Sequence, residues 1–194
     1  RSLQNIALSY LSLSGREEIL AACLEQYEGC DNMTERLTAL AVLVNSGFEA
    51  EKGKALAMFA DYFKDDPLVM DQWFSVQAGS PLPGGLERVQ ALMQHPAFTL
   101  KNPNKVRALI GAFANQNLVN FHRPDGAGYR FLADQVIVLN ALNPQIASRL
   151  LVPLTRWRKY APARQALMKA ELERILASGE LSSDVYEVVS KSLA

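Results

Sequence analysis

Apolar residues recur at helical spacing along almost the whole of this chain. Leu37, Leu40, Ala41 and Val44, for example, occupy positions i, i+3, i+4 and i+7, which lie on one face of an α-helix. The alternation of apolar and polar residues that is typical of half-buried strands is absent from the sequence. Only the short run "DQVIVLN" groups β-branched residues, and helix-compatible residues flank it. We therefore predict an all-α fold.

The starts of several helices are marked by a polar residue followed by proline. The pairs Asp66–Pro67, Asn102–Pro103 and Asn143–Pro144 each combine a side chain that can accept from a free backbone N–H with a proline that lacks an N–H. Ser14 and Glu17 have the spacing of a capping box, in which two side chains satisfy each other's backbone donors. We expect helices to begin at all four places.

Residues 1–194 are interpreted as a single helical segment. We predict helices over residues 2–13, 16–27, 32–45, 48–64, 67–78, 84–94, 103–117, 131–142, 144–159, 162–177 and 182–192. About eleven helices joined by short connections predict antiparallel pairs stacked into an α-superhelix, with the apolar face of each pair buried on the next. Because no repeat motif recurs at a fixed period, the superhelix should be irregular.

Charge and cysteine content exclude several classes of protein. Twenty basic residues balance twenty acidic ones, which removes the simplest argument for a nucleic-acid or anionic-membrane partner. No apolar run approaches the roughly 20 residues of a transmembrane helix. Two free, buried thiols at Cys23 and Cys30 would fit a reducing, cytoplasmic compartment, although a turn at Gly29 could bring the two sulfurs together. The start lacks a signal peptide and a Met, so we expect part of a longer protein.

Motifs for metal or nucleophilic catalysis are missing. A helical zinc protease needs the pattern H-E-x-x-H, but His95 and His122 are far apart in the sequence and no such motif occurs. No G-x-S-x-G nucleophile elbow occurs either. We therefore assign no catalytic residue and no metal ligand to this chain. A self-contained hydrolase that uses His122 with Asp125 stays open as a remote alternative.

The segment "NFHRPDGAGYRF", Asn120 to Phe131, looks most like part of an active site. Its G-x-G lacks the preceding strand and the following Lys-Ser or Lys-Thr of a phosphate-binding loop. Roughly 13 residues separate the predicted helices that end at Asn117 and begin at Phe131, whereas about 2–8 is common in helical bundles. Two interpretations remain open: a structural turn, or a loop that contacts a substrate or partner.

Small and polar residues form a stripe on the helix after Pro103. The members of the stripe share one helical face and are Asn104, Arg107, Ala108, Gly111 and Asn115. Such a face does not pack a core, and it suits the border of a water-filled cavity with space for the arginine to extend. An ordinary solvated outer face is the alternative, because charged residues are mostly exposed.

A second polar face is predicted on the helix after Asn143. Gln145, Arg149 and Arg156 lie on it, opposite the apolar residues of the same helix. The nearby run "TRWRKY" is locally basic and contains Trp157, but a helix C-terminus that favours cations explains it better than a nucleic-acid patch. Trp157, like Trp73, is expected to pack in the core or in an interface.

The same stretches carry a resemblance to a known family. "NPNKVRALIGAFANQNLVNFHRPDGAGYRFLADQVIVLNALNPQIASRLLVPLTRWRKY" resembles the C-terminal helical region of bacterial aminopeptidase N, the zinc-dependent alanyl aminopeptidases of the gluzincin class. The segments "DNMTERLTALAVLV", "DPLVMDQWFSVQA" and "LSSDVYEVVSKSLA" are similar to the same family in the same order. The resemblance therefore covers essentially the whole chain.

The resemblance implies a larger enzyme whose zinc site lies in another domain. This chain would then be the later part of a helical superhelix that closes over the active site, without catalytic residues and without a cofactor of its own. Its partners would be the catalytic domain and the other helices of the same polypeptide, together with peptide substrates. The residues that match cavity-facing positions in the family are Arg107, Gln145 and Arg149, which would approach the substrate beyond the cleaved bond. A stand-alone helical-repeat module that binds a peptide or protein is the alternative.

Overall fold

The computed structural model describes residues 2–194, and these residues contain helices, turns and loops but no strand. In chain order the α-helices are α1 (Ser2–Ser12), α2 (Glu17–Gly29), α3 (Met33–Val44), α4 (Glu49–Phe63), α5 (Pro67–Ala78), α6 (Gly85–Leu92), α7 (Pro103–Val106), α8 (Ala112–Gln116), α9 (Leu118–Phe121), α10 (Ala127–Leu142), α11 (Pro144–Leu150), α12 (Val152–Thr155), α13 (Pro162–Leu176) and α14 (Ser183–Leu193). A π-helical turn, Arg107–Gly111, connects α7 to α8, and a 3-10 turn, Trp157–Lys159, follows α12. The all-α prediction is confirmed.

The helices pack mainly on their neighbours in sequence. α1 packs on α2 and α3, α3 on α4 and α5, and α10 on α11 and α13, while α14 packs on α11 and α13. This stacking is the irregular superhelix predicted from the spacing of the apolar residues. Its core runs along the stack, and aromatic side chains with no exposed surface mark it: Phe59, Phe74, Phe113, Phe121 and Tyr129.

The three Asx–Pro pairs begin helices as predicted. Asp66 caps α5 by accepting from the N–H groups of Leu68 and Val69. Asn102 and Asn143 cap α7 and α11 in the same way. The capping box at Ser14 was wrong, because α2 begins after Arg16 and the Ser14 hydroxyl donates to a carbonyl of α1 instead.

The helix predicted over residues 144–159 is divided into three parts. α11 ends at Leu150, α12 begins at Val152, and a 3-10 turn follows Arg156. Pro153 explains the break, because it has no N–H for an intrahelical hydrogen bond and its ring clashes with the preceding turn. Arg156 is therefore not on the same continuous helix as Arg149, which corrects the prediction.

The connection predicted over residues 118–130 is much shorter than expected. Residues Leu118–Phe121 form α9, which Asn117 caps, and α10 already begins at Ala127. The earlier start of α10 depends on Gly126, whose backbone is left-handed at φ 70°, and on Gly128, where a Cβ would lie 2.3 Å from the carbonyl oxygen of Phe121. The argument that an unusually long loop reaches toward a ligand therefore fails.

Both cysteine thiols are free in this structure. Cys23 is buried in α2 and Cys30 is half-buried just after it. Burial raises the pKa of the Cys23 thiol to about 11, so this thiol is a poor nucleophile at neutral pH. Within residues 2–194, no helix has both the length and the apolar character needed to span a bilayer.

Candidate substrate-cavity site

A buried lysine anchors the start of the α7 helix to α5. The side chain of Lys105 is only 5 % exposed, and its Nζ lies 2.8 Å from Oδ1 of Asp71. The same Nζ donates to the carbonyl oxygen of Pro67 at 2.7 Å and lies 5.6 Å from the ring centroid of Phe74. All three of these partners belong to α5, so Lys105 fixes the position of α7 on that helix.

The π-helical turn begins two residues after Lys105. The N–H of Ala112 bonds to the carbonyl of Arg107, five residues back, where an α-helix would use the residue four back. The hydroxyl of Ser75 on α5 lies 3.0 Å from the carbonyl oxygen of Ala108, within the turn. α5 therefore contacts this helix on both sides of Arg107.

Arg107 itself extends from the turn into solvent. Its guanidinium donates to the side-chain oxygen of Asn104, and it makes no ion pair within residues 2–194. It borders an open depression between α5 and the π turn. The depression is lined by Leu68, Asp71, Gln72, Ser75, Asn104, Arg107 and Ala108. A free cationic group therefore stands beside an open concave surface.

Only some residues of the predicted small-polar stripe lie on the same exposed face. Asn104, Arg107 and Asn115 are exposed, as expected, but Ala108 is buried and Gly111 is half-buried. The π turn causes the difference, because its extra residue rotates the following turn relative to the preceding one. The outward-facing part of the stripe is therefore limited to its polar members.

Gln145 and Arg149 project together from α11. Both are exposed, and they are four residues apart, so they lie on one face of the helix. Ile146 and Leu150 on the opposite side are buried, as predicted. Within the described part of the chain, the side chains of Gln145 and Arg149 form no hydrogen bond or ion pair.

The π turn and α11 are neighbours in the stack. A Cβ added to Gly111 would lie 3.8 Å from Cδ2 of Leu150 and 3.9 Å from Cβ of Arg107. Leu150 follows Arg149 directly, so the helices that carry Arg107 and Arg149 meet at this contact.

No metal site accompanies these residues. Among residues 2–194, no group of three or more His, Cys, Asp and Glu side chains is arranged to hold a metal ion. Residues 2–194 therefore offer no ligand set for the zinc that the family resemblance implies.

Comparison with known proteins identifies the family. Residues 1–194 match the family model described as "Domain of unknown function (DUF3458_C) ARM repeats". The chain belongs to the DUF3458_C family. This DUF3458_C domain is 45 % identical over 193 residues to aminopeptidase N of Caulobacter vibrioides and 42 % identical to that of Haemophilus influenzae. It is 40 % identical over 194 residues to aminopeptidase N of Escherichia coli.

A solved structure extends the comparison to the fold. The crystal structure of Legionella pneumophila aminopeptidase A in complex with aspartic acid matches 98 % of this chain with a TM-score of 0.92 and 38 % identity. The resemblance seen in the sequence is therefore confirmed. The DUF3458_C domain spans only 22 % of the length of each of these relatives, so it corresponds to one part of a larger aminopeptidase.

The two residues proposed for a self-contained hydrolase do not form a catalytic pair. Nδ1 of His122 lies 2.7 Å from the hydroxyl of Tyr129, and the ring of Tyr160 packs beside the imidazole at 4.5 Å. Asp125 instead pairs with Arg123 at 2.8 Å and accepts from a backbone N–H at the start of α10. Neither the position nor the partners of these two side chains fit a nucleophilic triad.

Two buried asparagines were not identified as important from the sequence. Asn117 donates from Nδ2 to the carbonyls of Ala78 and Ser80, at 3.0 and 2.7 Å. Asn120 donates to the carbonyl of Leu82 and accepts from the N–H of Gly85. These bonds fix the loop between α5 and α6, and the concentration of asparagines between residues 102 and 143 was the available signal.

Trp157 and Arg158 cap the end of α14 rather than bind a partner through a basic patch. Nε1 of Trp157 and Nη1 of Arg158 both donate to the carbonyl oxygen of Ser192, at 3.1 and 2.7 Å. A cation is thus placed at a helix C-terminus, as predicted, but the helix is α14 and not the one that contains the "TRWRKY" run. Trp73 is buried and donates to a carbonyl of α4, as expected of a core residue.

Proposed function

We propose that this DUF3458_C domain is the non-catalytic helical part of a zinc aminopeptidase, an enzyme that removes N-terminal amino acids from peptides. In this role the domain walls the active-site cavity, restricts entry to short or unfolded peptides and helps to position the substrate. The match to aminopeptidase N along the whole chain supports this, and so does the coverage of only 22 % of each relative. The bond-breaking chemistry and its zinc would belong to the rest of the polypeptide.

The observation that carries the substrate-positioning role is the exposure of Arg107 and Arg149 without an acidic partner, together with the open depression that Arg107 borders. Four arginines within residues 2–194 pair with acidic side chains: Arg16, Arg123, Arg130 and Arg174. Within residues 2–194, the guanidiniums of Arg107 and Arg149 have no acidic partner. A guanidinium can make two charge-assisted bonds to a peptide carboxylate or carbonyl, and Gln145 adds an amide beside Arg149.

The partners of the domain would be the catalytic domain and the other helices of the same polypeptide, with peptides as substrates. A balanced charge gives no reason to add a nucleic acid or a membrane surface. Two free thiols favour a reducing, cytoplasmic compartment.

Replacing Arg149 in the full-length enzyme tests this function. A charge-assisted hydrogen bond contributes about 1.5–3 kcal/mol, so Arg149→Ala should raise KM for a peptide roughly tenfold or more. KM for a small amino-acid amide should stay unchanged, because the amide does not extend beyond the cleaved bond. Steady-state kinetics on both substrates measure the difference.

Arg156→Ala is the matched control, because Arg156 is also an exposed arginine but lies beyond the break at Pro153. It should leave both KM values unchanged. Equal losses on peptide and amide in Arg149→Ala would refute the positioning role.

A further inference from the structure

Asp71 and Arg107 have opposite charges and line the same depression, yet they do not pair. The partner of Asp71 is Lys105, whose Nζ lies 2.8 Å from Oδ1. This contact is an ion pair without an aligned hydrogen bond, because Oδ1 is buried and has no hydrogen-bond partner of normal geometry. The guanidinium of Arg107 donates to the neutral side chain of Asn104 and has no acidic partner within residues 2–194.

The buried position of Lys105 directs its ammonium group toward Asp71 and away from other acids. Its Nζ donates to the carbonyl of Pro67 and faces the ring of Phe74, and its side chain is 5 % exposed. A buried carboxylate that loses its counter-ion either binds a proton or pairs with another cation, since an unpaired charge is costly in a low-dielectric environment. The cation that lines the same depression as Asp71 is Arg107.

We propose that Lys105 is a positioning residue that neutralises Asp71 and so keeps Arg107 free for the substrate. The inference rests on the proposed function, in which Arg107 binds the peptide beyond the cleaved bond. Lys105 does not touch the substrate in this arrangement. It acts through Asp71, by removing the acid that would otherwise compete with the peptide for the guanidinium.

The π turn supports the same arrangement. Lys105 lies two residues before Arg107, the first residue of the turn, and the Ser75 hydroxyl donates to the carbonyl of Ala108 inside the turn. α5 thus holds the backbone on both sides of Arg107, whose exposed side chain extends beyond this contact and donates to Asn104. A change in charge at Asp71 therefore redirects the Arg107 side chain without a change in the path of the helix.

The test uses the full-length enzyme and the variant Lys105→Gln. Glutamine removes the charge and keeps an N–H that can donate to the carbonyl of Pro67. We expect KM for a peptide to rise by about as much as in Arg107→Ala, roughly tenfold. The kcat for the peptide, and both constants for an amino-acid amide, should stay unchanged. Adding Asp71→Asn to Lys105→Gln should restore KM for the peptide, because the competing acid is then gone.

The outcomes separate this inference from the proposed function. If Arg107→Ala raises KM for the peptide and Lys105→Gln does not, the inference alone fails. If the double variant does not regain the peptide KM of the unmodified enzyme, Lys105 has only a structural role, and the inference also fails. If Arg107→Ala leaves KM unchanged, the proposed role of Arg107 fails and the inference with it. Should Lys105→Gln not fold, the double variant decides: a KM above that of the unmodified enzyme overturns the proposal.

Discussion

Asn117 and Asn120 show how single polar side chains hold this superhelix together at the residue scale. Neither has appreciable exposure, and between them they satisfy backbone groups of the loop between α5 and α6. Backbone carbonyls that are buried without a partner are costly. The two side-chain amides therefore supply the hydrogen bonds to the backbone that a helix or sheet would otherwise supply in this loop.

Replacing Asn117 should destabilise the domain. Asn117→Ala leaves the carbonyls of Ala78 and Ser80 without their donor, and the loss should be about 2 kcal/mol or more, since each unsatisfied buried group costs roughly 1–3 kcal/mol. Thermal and urea unfolding measure the change. Asn115→Ala is the matched control: Asn115 is exposed, bonds only to Gly111 in its own helix, and should cost less than about 0.5 kcal/mol. Equal losses in the two variants would contradict this account.

The polar residues of the candidate site could be found from sequence, but their surroundings could not. Arg107, Gln145 and Arg149 are exposed, as their helical spacing predicts, and the cavity role that the family resemblance gives them stays a prediction. The ion pair of Lys105 with Asp71 joins residues distant in the sequence, and only the packing of α7 on α5 brings them together. Nothing in the local sequence around Lys105 distinguishes it from a solvated lysine.

At the scale of elements, the helix starts were predictable because a cap is a local interaction. The Asx–Pro pairs mark α5, α7 and α11 correctly, since the accepting side chain and the N–H donor are two or three residues apart. The π turn was not predictable, because it depends on contacts with α5 that the sequence does not display. The four-residue helix α9 was missed because periodicity needs a longer window.

The junction of α9, α10 and α13 contains a titratable group that should make stability depend on pH. Burial, and then the charge of Arg164, lower the pKa of His122 below its usual 6.5. Arg164 on α13 also donates to the carbonyl of His122, while the hydroxyl of Tyr129 and the ring of Tyr160 face the imidazole. The folded state therefore favours the neutral ring.

The sign of the pH effect follows from this shift. Below 6.5 the unfolded state binds the proton more readily than the folded state, so stability falls as the pH drops, and it levels off once the folded His122 is also protonated. Above 6.5 both states are neutral and the effect is absent. We expect His122→Gln to remove this component of the pH dependence between about pH 7 and 5, a range around the ordinary imidazole pKa. Unfolding curves of both proteins across that range test it, and identical slopes would contradict the prediction.

For the whole molecule, the exposed face of α1 is the largest departure from an isolated globular domain. Leu3, Ile6 and Tyr10 on this helix are 80 %, 54 % and 73 % exposed, and Leu13, directly after it, is 81 % exposed. Contiguous apolar surface of this kind is typical of a surface that meets another protein element. It agrees with the coverage of 22 % of the relative's length and with the proposed packing of the domain on other helices of the same polypeptide.

The proposed division of labour makes a final prediction for the molecule as a whole. The 194-residue chain alone should not hydrolyse an alanyl fluorogenic amide, because it contains no metal-binding group among the residues described. The full-length enzyme should hydrolyse the amide, and a zinc chelator should abolish this activity. Activity assays of both proteins with and without chelator make the comparison, with heat-denatured enzyme as the control.

Hydrolysis of the amide by the isolated chain would mean that this domain itself performs catalysis. Tight peptide binding without hydrolysis would favour an independent binding module over a cavity wall.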